Sequence, residues 1–239
     1  MKYAIIAAGE GSRLANEGIA TPKPLVKVGG EMLIDRLIRI FLDNEAEEIV
    51  IICNDQSISV RRHLMEMQTR GLGGRNVPLK FIVMSTESSM HSFFEISPYL
   101  AGGPFVLTTV DTIFDEQLFA RFSKTFAEAA ENKTSDGIMA VTDFIDDESP
   151  LYVDTDDNGN ITGFYDVPGD YKYVSGGIYG LTPISIVTLR ECIGRGEKRM
   201  RNFQRALLKD GMRLKAFPMG KILDIDHKED VEKAELFLK

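Results

Sequence analysis

The chain has 239 residues, 44% of them hydrophobic and 27% charged, ordinary proportions for a protein that buries a core. Its net charge of −8 at pH 7 argues against broad binding to nucleic acid or to an anionic membrane surface, both of which need basic faces. No apolar run is long enough to span a bilayer, residues 1–9 are too short for a signal-peptide core, and two cysteines suggest no disulfide framework, so the cytoplasm is the expected location.

Residues 3–7 form an apolar run stopped by Gly9 and Gly11, which reads as a buried strand feeding a loop. Leu33, Leu37, Ile40 and Phe41 recur at helical spacing, predicting a helix over 32–44. A second strand is expected at 48–53, with Cys53 a structural thiol inside it. There follow a helix at 57–68, a strand at 79–84, a short helix at 90–96, a strand at 105–109 and a helix at 115–130. Beyond Gly137 the pattern changes to short strands at 138–142, 152–154 and 161–165. The last two are joined by Asp156-Asp157-Asn158-Gly159, whose Asn-Gly pair tolerates positive φ and signals a hairpin. A strand at 172–181, a helix from Pro183 to about Gly194, another at 202–209, strands at 214–217 and 222–225 and a helix from Lys228 complete the chain. Buried strands alternating with amphipathic helices predict an α/β, Rossmann-like, three-layer fold. Its central sheet should be mixed and mostly parallel, with a small antiparallel insertion. No linker or repeat intervenes, so residues 1–239 are read as one domain.

The most informative segment is Ala7-Ala8-Gly9-Glu10-Gly11-Ser12-Arg13-Leu14, followed by Thr21-Pro22-Lys23-Pro24-Leu25. Glycine lets backbone N–H groups approach a phosphate closely. Arg13 and Lys23 add positive charge, and Pro22 and Pro24 stiffen the presentation of Lys23. The dinucleotide-binding fingerprint fails, because Leu14 stands where its third glycine is needed. No Gly-Lys-Ser/Thr run supplies a P-loop.

Two carboxylates stand at the ends of apolar strands. Asp111 follows 105–110 at the carboxyl edge where α/β sheets bind ligands, and Asp224 lies among the apolar residues of 221–225. Asp111 also reads as a turn or cap residue. Asp224 is harder to dismiss, since an unpartnered carboxylate among apolar neighbours is costly. Asp226 reads as a cap before the last helix. No metal-ligand spacing involves His63, His91 or His227.

This N-terminal pattern, with Pro22-Lys23-Pro24-Leu25-Val26-Lys27-Val28-Gly29-Gly30, Asp111, Gly176-Gly177-Ile178-Tyr179 and Asp224-Ile225-Asp226, resembles the sugar-phosphate nucleotidyltransferases. The resemblance runs through most of the chain. It implies transfer of a nucleotidyl group from an NTP to a sugar 1-phosphate with release of pyrophosphate, and a single activity in a chain of this length. By that resemblance Ala8, Gly9, Gly11, Ser12, Arg13 and Lys23 hold the nucleotide phosphates, and Arg13, Lys23 and Asp111 are the catalytic group. Asp111 and Asp224 hold Mg²⁺.

Ser88 and Ser89 fall where the family contacts the base, and read equally as helix caps. By the same resemblance Gly176 and Gly177 line the acceptor pocket, flanked by Asp166 and Lys172. Residues 1–135 then serve mainly the nucleotide and 136–239 mainly the acceptor. The chain departs from the family pattern at Val110, usually glycine, at Ile222, usually tryptophan, and in lacking an intact Glu-Lys pair near Asp166. Expected partners are an NTP and a phosphorylated small molecule, with no nucleic acid or membrane; homo-oligomerisation is left open. Other readings are a cytidylyltransferase for a non-sugar phosphate such as phosphocholine, and a non-catalytic nucleotide-binding regulator, against which the pair Asp111 and Asp224 argues.

Overall fold

The computed structural model describes residues 1–146 and 149–239. In chain order the elements are β1 (Lys2–Ala7), α1 (Ser12–Asn16), a 3-10 turn (Lys23–Leu25), β2 (Lys27–Val28), β3 (Glu31–Met32), α2 (Leu33–Asp43), β4 (Glu48–Cys53), α3 (Ile58–Arg70), β5 (Leu79–Val83), α4 (Ser89–Leu100), β6 (Phe105–Thr109), β7 (Thr112–Ile113) and α5 (Glu116–Glu131). They continue as β8 (Gly137–Thr142), β9 (Tyr152–Thr155), β10 (Ile161–Tyr165), β11 (Tyr173–Leu181), α6 (Ser185–Gly194), α7 (Met200–Lys209), β12 (Leu214–Pro218), β13 (Leu223–Asp224) and α8 (Lys228–Phe237).

Strands β5, β4, β1 and β6 lie side by side and parallel. β11 then runs antiparallel to β6, to β8 and to the hairpin strand β9, and β12 pairs parallel with β8. The sheet is mixed, with β9 and β10 as the antiparallel insertion. Helices cover both faces, and each face has its own apolar core. One is built around Tyr3, Phe41, Phe119 and Phe122, the other around Phe93, Phe105, Leu189 and Phe203. Burial on both faces explains why β1 and β4 read as unbroken apolar runs rather than alternating ones.

Strand order reverses at β1, which sits between β4 and β6. At such a switch point the loops leaving two neighbouring strands diverge and open a crevice. The parallel register sets Ile6 beside Thr109, so the loop after β1 and the loop carrying Asp111 leave the sheet together. Val110 N donates to Ile6 O at 3.0 Å and extends that pairing by one residue.

Several expectations are corrected in detail. The glycine loop runs into the five-residue helix α1, too short to show an apolar period. The predicted 222–225 strand is only the two-residue β13. It pairs antiparallel with β7 in a separate two-stranded ladder. The helix predicted at 90–96 extends over Ser89–Leu100 and carries Pro98 inside it. The helix expected from Pro183 begins at Ser185.

Candidate active site

Gly11 sits in the left-handed region at φ 63°, where an L side chain would be strained. A Cβ there would lie 3.3 Å from Lys23 Cβ, so glycine is what lets the loop after β1 pack against the 3-10 turn. Asn54 pins the same loop by donating its Nδ2 to Gly9 O at 3.2 Å. On the far side Ser88 caps α4, its Oγ accepting from His91 N at 3.3 Å. Between these walls lies a cleft of about 370 Å³, lined among others by Ala8, Gly9, Gly11, Lys23, Ser88, Ser89 and Asp111. Six predicted nucleotide-binding or catalytic positions and the first predicted metal ligand are thus brought together. Ser88 is the cap of α4, Ser89 is its first residue, and both border the cleft.

A second cleft of about 360 Å³ opens on the other side of Lys23 and Asp111. Its lining includes Arg13, Ser175, Gly176, Asp224, Asp226 and Phe144. The two meet at a junction of alternating charge. Lys23 Nζ lies 2.7 Å from Asp111 Oδ2 and 2.7 Å from Asp226 Oδ1, and Arg13 Nη1 lies 3.0 Å from Asp226 Oδ2. Lys23 is only 12% exposed. Its burial alone would lower the ammonium pKa, but Asp111 and then Asp226 reverse that and hold it above the ordinary lysine range. Burial likewise pushes Asp226 up, and Lys23 and Arg13 outweigh it, leaving that carboxyl below its usual range.

Asp224 behaves oppositely. The β13–β7 ladder sets it across from Thr112, and Ile225 N donates to Asp111 O at 3.1 Å, tying the two acidic segments side by side. The Asp224 carboxylate opens onto the second cleft, yet its pKa is well above the usual aspartate range. The concave, protein-crowded floor is the first cause, followed by the negative charges of Asp111 and Asp226; a bond from Thr112 opposes them. The donors here are carboxylate oxygens, the set a hard divalent cation takes. Two carboxylates completed by phosphate oxygens and water suit Mg²⁺ better than a full protein cage. Among the described residues no three His, Cys, Asp or Glu side chains are grouped so as to hold a metal ion by themselves.

Other predicted residues are placed differently. Ser12 begins α1 and is exposed, outside the lining of both clefts. Arg13 lines the second cleft rather than the first, because α1 turns it toward Asp226. Gly177 lies at φ 71°, where a Cβ would be 3.7 Å from Thr112 Oγ1 beside the acidic ladder. Asp166 and Lys172 line neither cleft. Asp166 is held by Arg201 at 2.6 Å and Arg205 at 2.7 Å, and Lys172 is exposed with its ammonium 4.9 Å from the Tyr173 ring centre. Sequence reasoning missed Asp226, which bridges both cations. The cap of α8 is His227, and Asp230 completes a capping box, its Oδ2 accepting from His227 N at 2.7 Å.

A glycine-bearing loop at a sheet's switch point, a buried lysine between two aspartates and a second cleft sharing that junction define a nucleotide-binding α/β protein with room for two ligands. A sequence profile of the family described as nucleotidyl transferase matches residues 2–238, and the chain belongs to that family. It is 24% identical over 243 residues to the UTP–glucose-1-phosphate uridylyltransferase of Haloferax volcanii, covering 98% of this chain and 95% of that one. A glucose-1-phosphate cytidylyltransferase of Salmonella typhimurium is 29% identical over 63 residues. That match spans 26% of this chain and only 24% of the relative. The inositol-1-phosphate CTP transferase from T. maritima shares the fold at a TM-score of 0.77 and 20% identity, over 100% of this chain and 95% of that one. No helix among the described residues is long and apolar enough to cross a membrane.

Proposed function

We propose that this chain transfers a nucleotidyl group from an NTP to a sugar 1-phosphate, giving an NDP-sugar and pyrophosphate. One observation carries the reading: two clefts of similar size share a junction in which Lys23, Arg13, Asp111, Asp224 and Asp226 converge. The triphosphate lies along the glycine loop in the first cleft, and the acceptor phosphate enters from the second. A phosphate oxygen of the acceptor attacks the α-phosphorus, and the bond to the β-phosphate oxygen breaks opposite to it. The acceptor is already ionised near neutral pH, so no general base is required. Lys23 exchanges one carboxylate for a phosphate oxygen, and Arg13 offsets the charge brought by the acceptor. Asp111 and Asp224 are the residues that would hold Mg²⁺, which when bound neutralises phosphate charge and draws the two reacting phosphates together. The names of the uridylyl- and cytidylyltransferase relatives, both acting on glucose 1-phosphate, support the acceptor class.

The test is to incubate the protein with each NTP, Mg²⁺ and a panel of sugar 1-phosphates and other phosphate monoesters while following pyrophosphate. Release is expected with a sugar 1-phosphate, abolished by chelation or by Asp111→Ala and restored to wild type by Mg²⁺. Release only with a non-sugar phosphate would replace the acceptor. No release across the panel would mark a nucleotide-binding protein without turnover.

A further inference from the structure

Three polar side chains lie together beneath the second cleft. Gln204, on α7, is 2% exposed and Tyr179, on β11, is 7% exposed; both are surrounded by the apolar residues of that face of the sheet. Ser175, two strand positions before Gly177, lines the cleft itself, which Gln204 and Tyr179 do not. Ser175 Oγ donates to Gln204 Oε1 at 3.0 Å, and Gln204 Nε2 reaches Tyr179 Oη at 3.5 Å. A buried glutamine amide left unpaired would be costly, so these two bonds explain why α7 presents this residue inward amid Phe203, Ala206 and Leu207.

The bond from Ser175 to Gln204 has a chemical consequence. Ser175 Oγ donates its only proton to Gln204 Oε1, while the amide Nε2 is turned to Tyr179. What Ser175 can offer the cleft is its lone pairs. A serine bordering a phosphate site would ordinarily offer its proton; this one cannot without breaking its bond to Gln204.

We propose that Gln204 is a positioning residue that holds Ser175 as a hydrogen-bond acceptor in the second cleft, so that this position selects a hydroxyl or amino donor of the acceptor's sugar and rejects its phosphate. The inference rests on the acceptor reading of that cleft given above. It orients the acceptor: the phosphate is directed to the Arg13 and Lys23 side of the cleft, and a sugar donor to the β11 side.

The test uses the full chain, the best acceptor found in the pyrophosphate assay, and its set of mono-deoxy analogues. Wild type should discriminate against one deoxy analogue by about 3- to 10-fold in kcat/KM, the scale of one neutral hydrogen bond. Ser175→Ala should raise the KM of the parent acceptor by a similar factor and lose discrimination against that one analogue, with the KM of the NTP unchanged. Gln204→Met, of similar volume, should reproduce both effects although it does not border the cleft, and the double variant should be no worse than the worse single one. A purely structural role would instead lower melting temperature and kcat for every analogue alike. Turnover in which both variants keep the wild-type preference, or in which no deoxy position matters, overturns this proposal alone. Absence of turnover with any acceptor in wild type overturns it together with the reading it rests on.

Discussion

At the scale of single residues, the junction owes its character to Lys23, which is nearly buried yet flanked by two carboxylates. Lys23→Ala should reduce kcat/KM by at least about 10²-fold, the scale of losing one preorganised charge aimed at a reacting phosphate. Asp111 and Asp226 border open clefts and can be rehydrated when the ammonium is gone. Melting temperature should therefore move by no more than about 2 °C, as for weakly coupled ion pairs. A large drop in melting temperature with intact kinetics would make Lys23 a structural strut. A different residue governs pH dependence of stability. His63 Nε2 on α3 lies 2.6 Å from Asp35 Oδ1 in the first turn of α2, and that bond is the main reason its pKa is raised. A raised folded-state value means the stabilisation is complete below the unfolded histidine value of about 6.5 and is lost as pH climbs through the folded value. The melting-temperature advantage of wild type over His63→Gln should shrink from about pH 5.5 to about pH 9. A gap that widened across that range would refute the pairing.

At the scale of elements, β11 shifts register against β8 between Ser175 and Tyr179, lifting Gly176 and Gly177 off the ladder. A Cβ on Gly176 would lie 2.3 Å from Ile222 Cδ1 and 3.2 Å from Ala140 O. Gly176→Ala must therefore displace the Ile222 side chain, two residues from Asp224, and crowd the Ala140 carbonyl. It should cost about 1–3 kcal/mol in denaturant unfolding, the usual penalty of overpacking, and lower turnover as well. Adding Ile222→Val removes the clashing methyl and should recover much of both losses, measured as a non-additive double-mutant cycle. Strict additivity would mean the clash is not the cause. These elements also show what can be read in advance. The runs at 3–7, 48–53 and 105–109 are legible because burial on both faces leaves no polar alternation. The three- and four-residue hydrophobic spacing in α2 is equally plain. α1, β2, β3 and β7 have two to five residues each, too few to display a period. Asp226 reads as a cap because its position two residues before α8 invites it. Its partners lie 203 and 213 residues away, and local pattern holds no trace of them. Asp166 shows the converse: its place before β11 suggested the acceptor, whereas two arginines of α7 hold it away from both clefts.

At the scale of the whole molecule, the residues of the junction come from both ends of the chain, and Arg13 from the first half lines the cleft otherwise built by the second. The pairing of Lys23 and Arg13 with aspartates has a kinetic side as well. Each cation is already answered by a carboxylate within 3.0 Å, so little positive field reaches beyond the cleft mouth. The chain as a whole carries a net charge of −8. A polyanionic nucleotide is thus recognised only at contact, and on approach it meets mild repulsion rather than guidance. Screening by salt should leave the bimolecular capture rate level or raise it slightly, whereas a site that draws its ligand in by long-range attraction loses rate steeply. Stopped-flow mixing with a fluorescent NTP analogue from about 0.02 to about 0.3 M ionic strength would distinguish the two, since the Debye length shrinks several-fold over that range. A steep fall in rate would mean that the lysine and arginine are released from their aspartates before the nucleotide arrives.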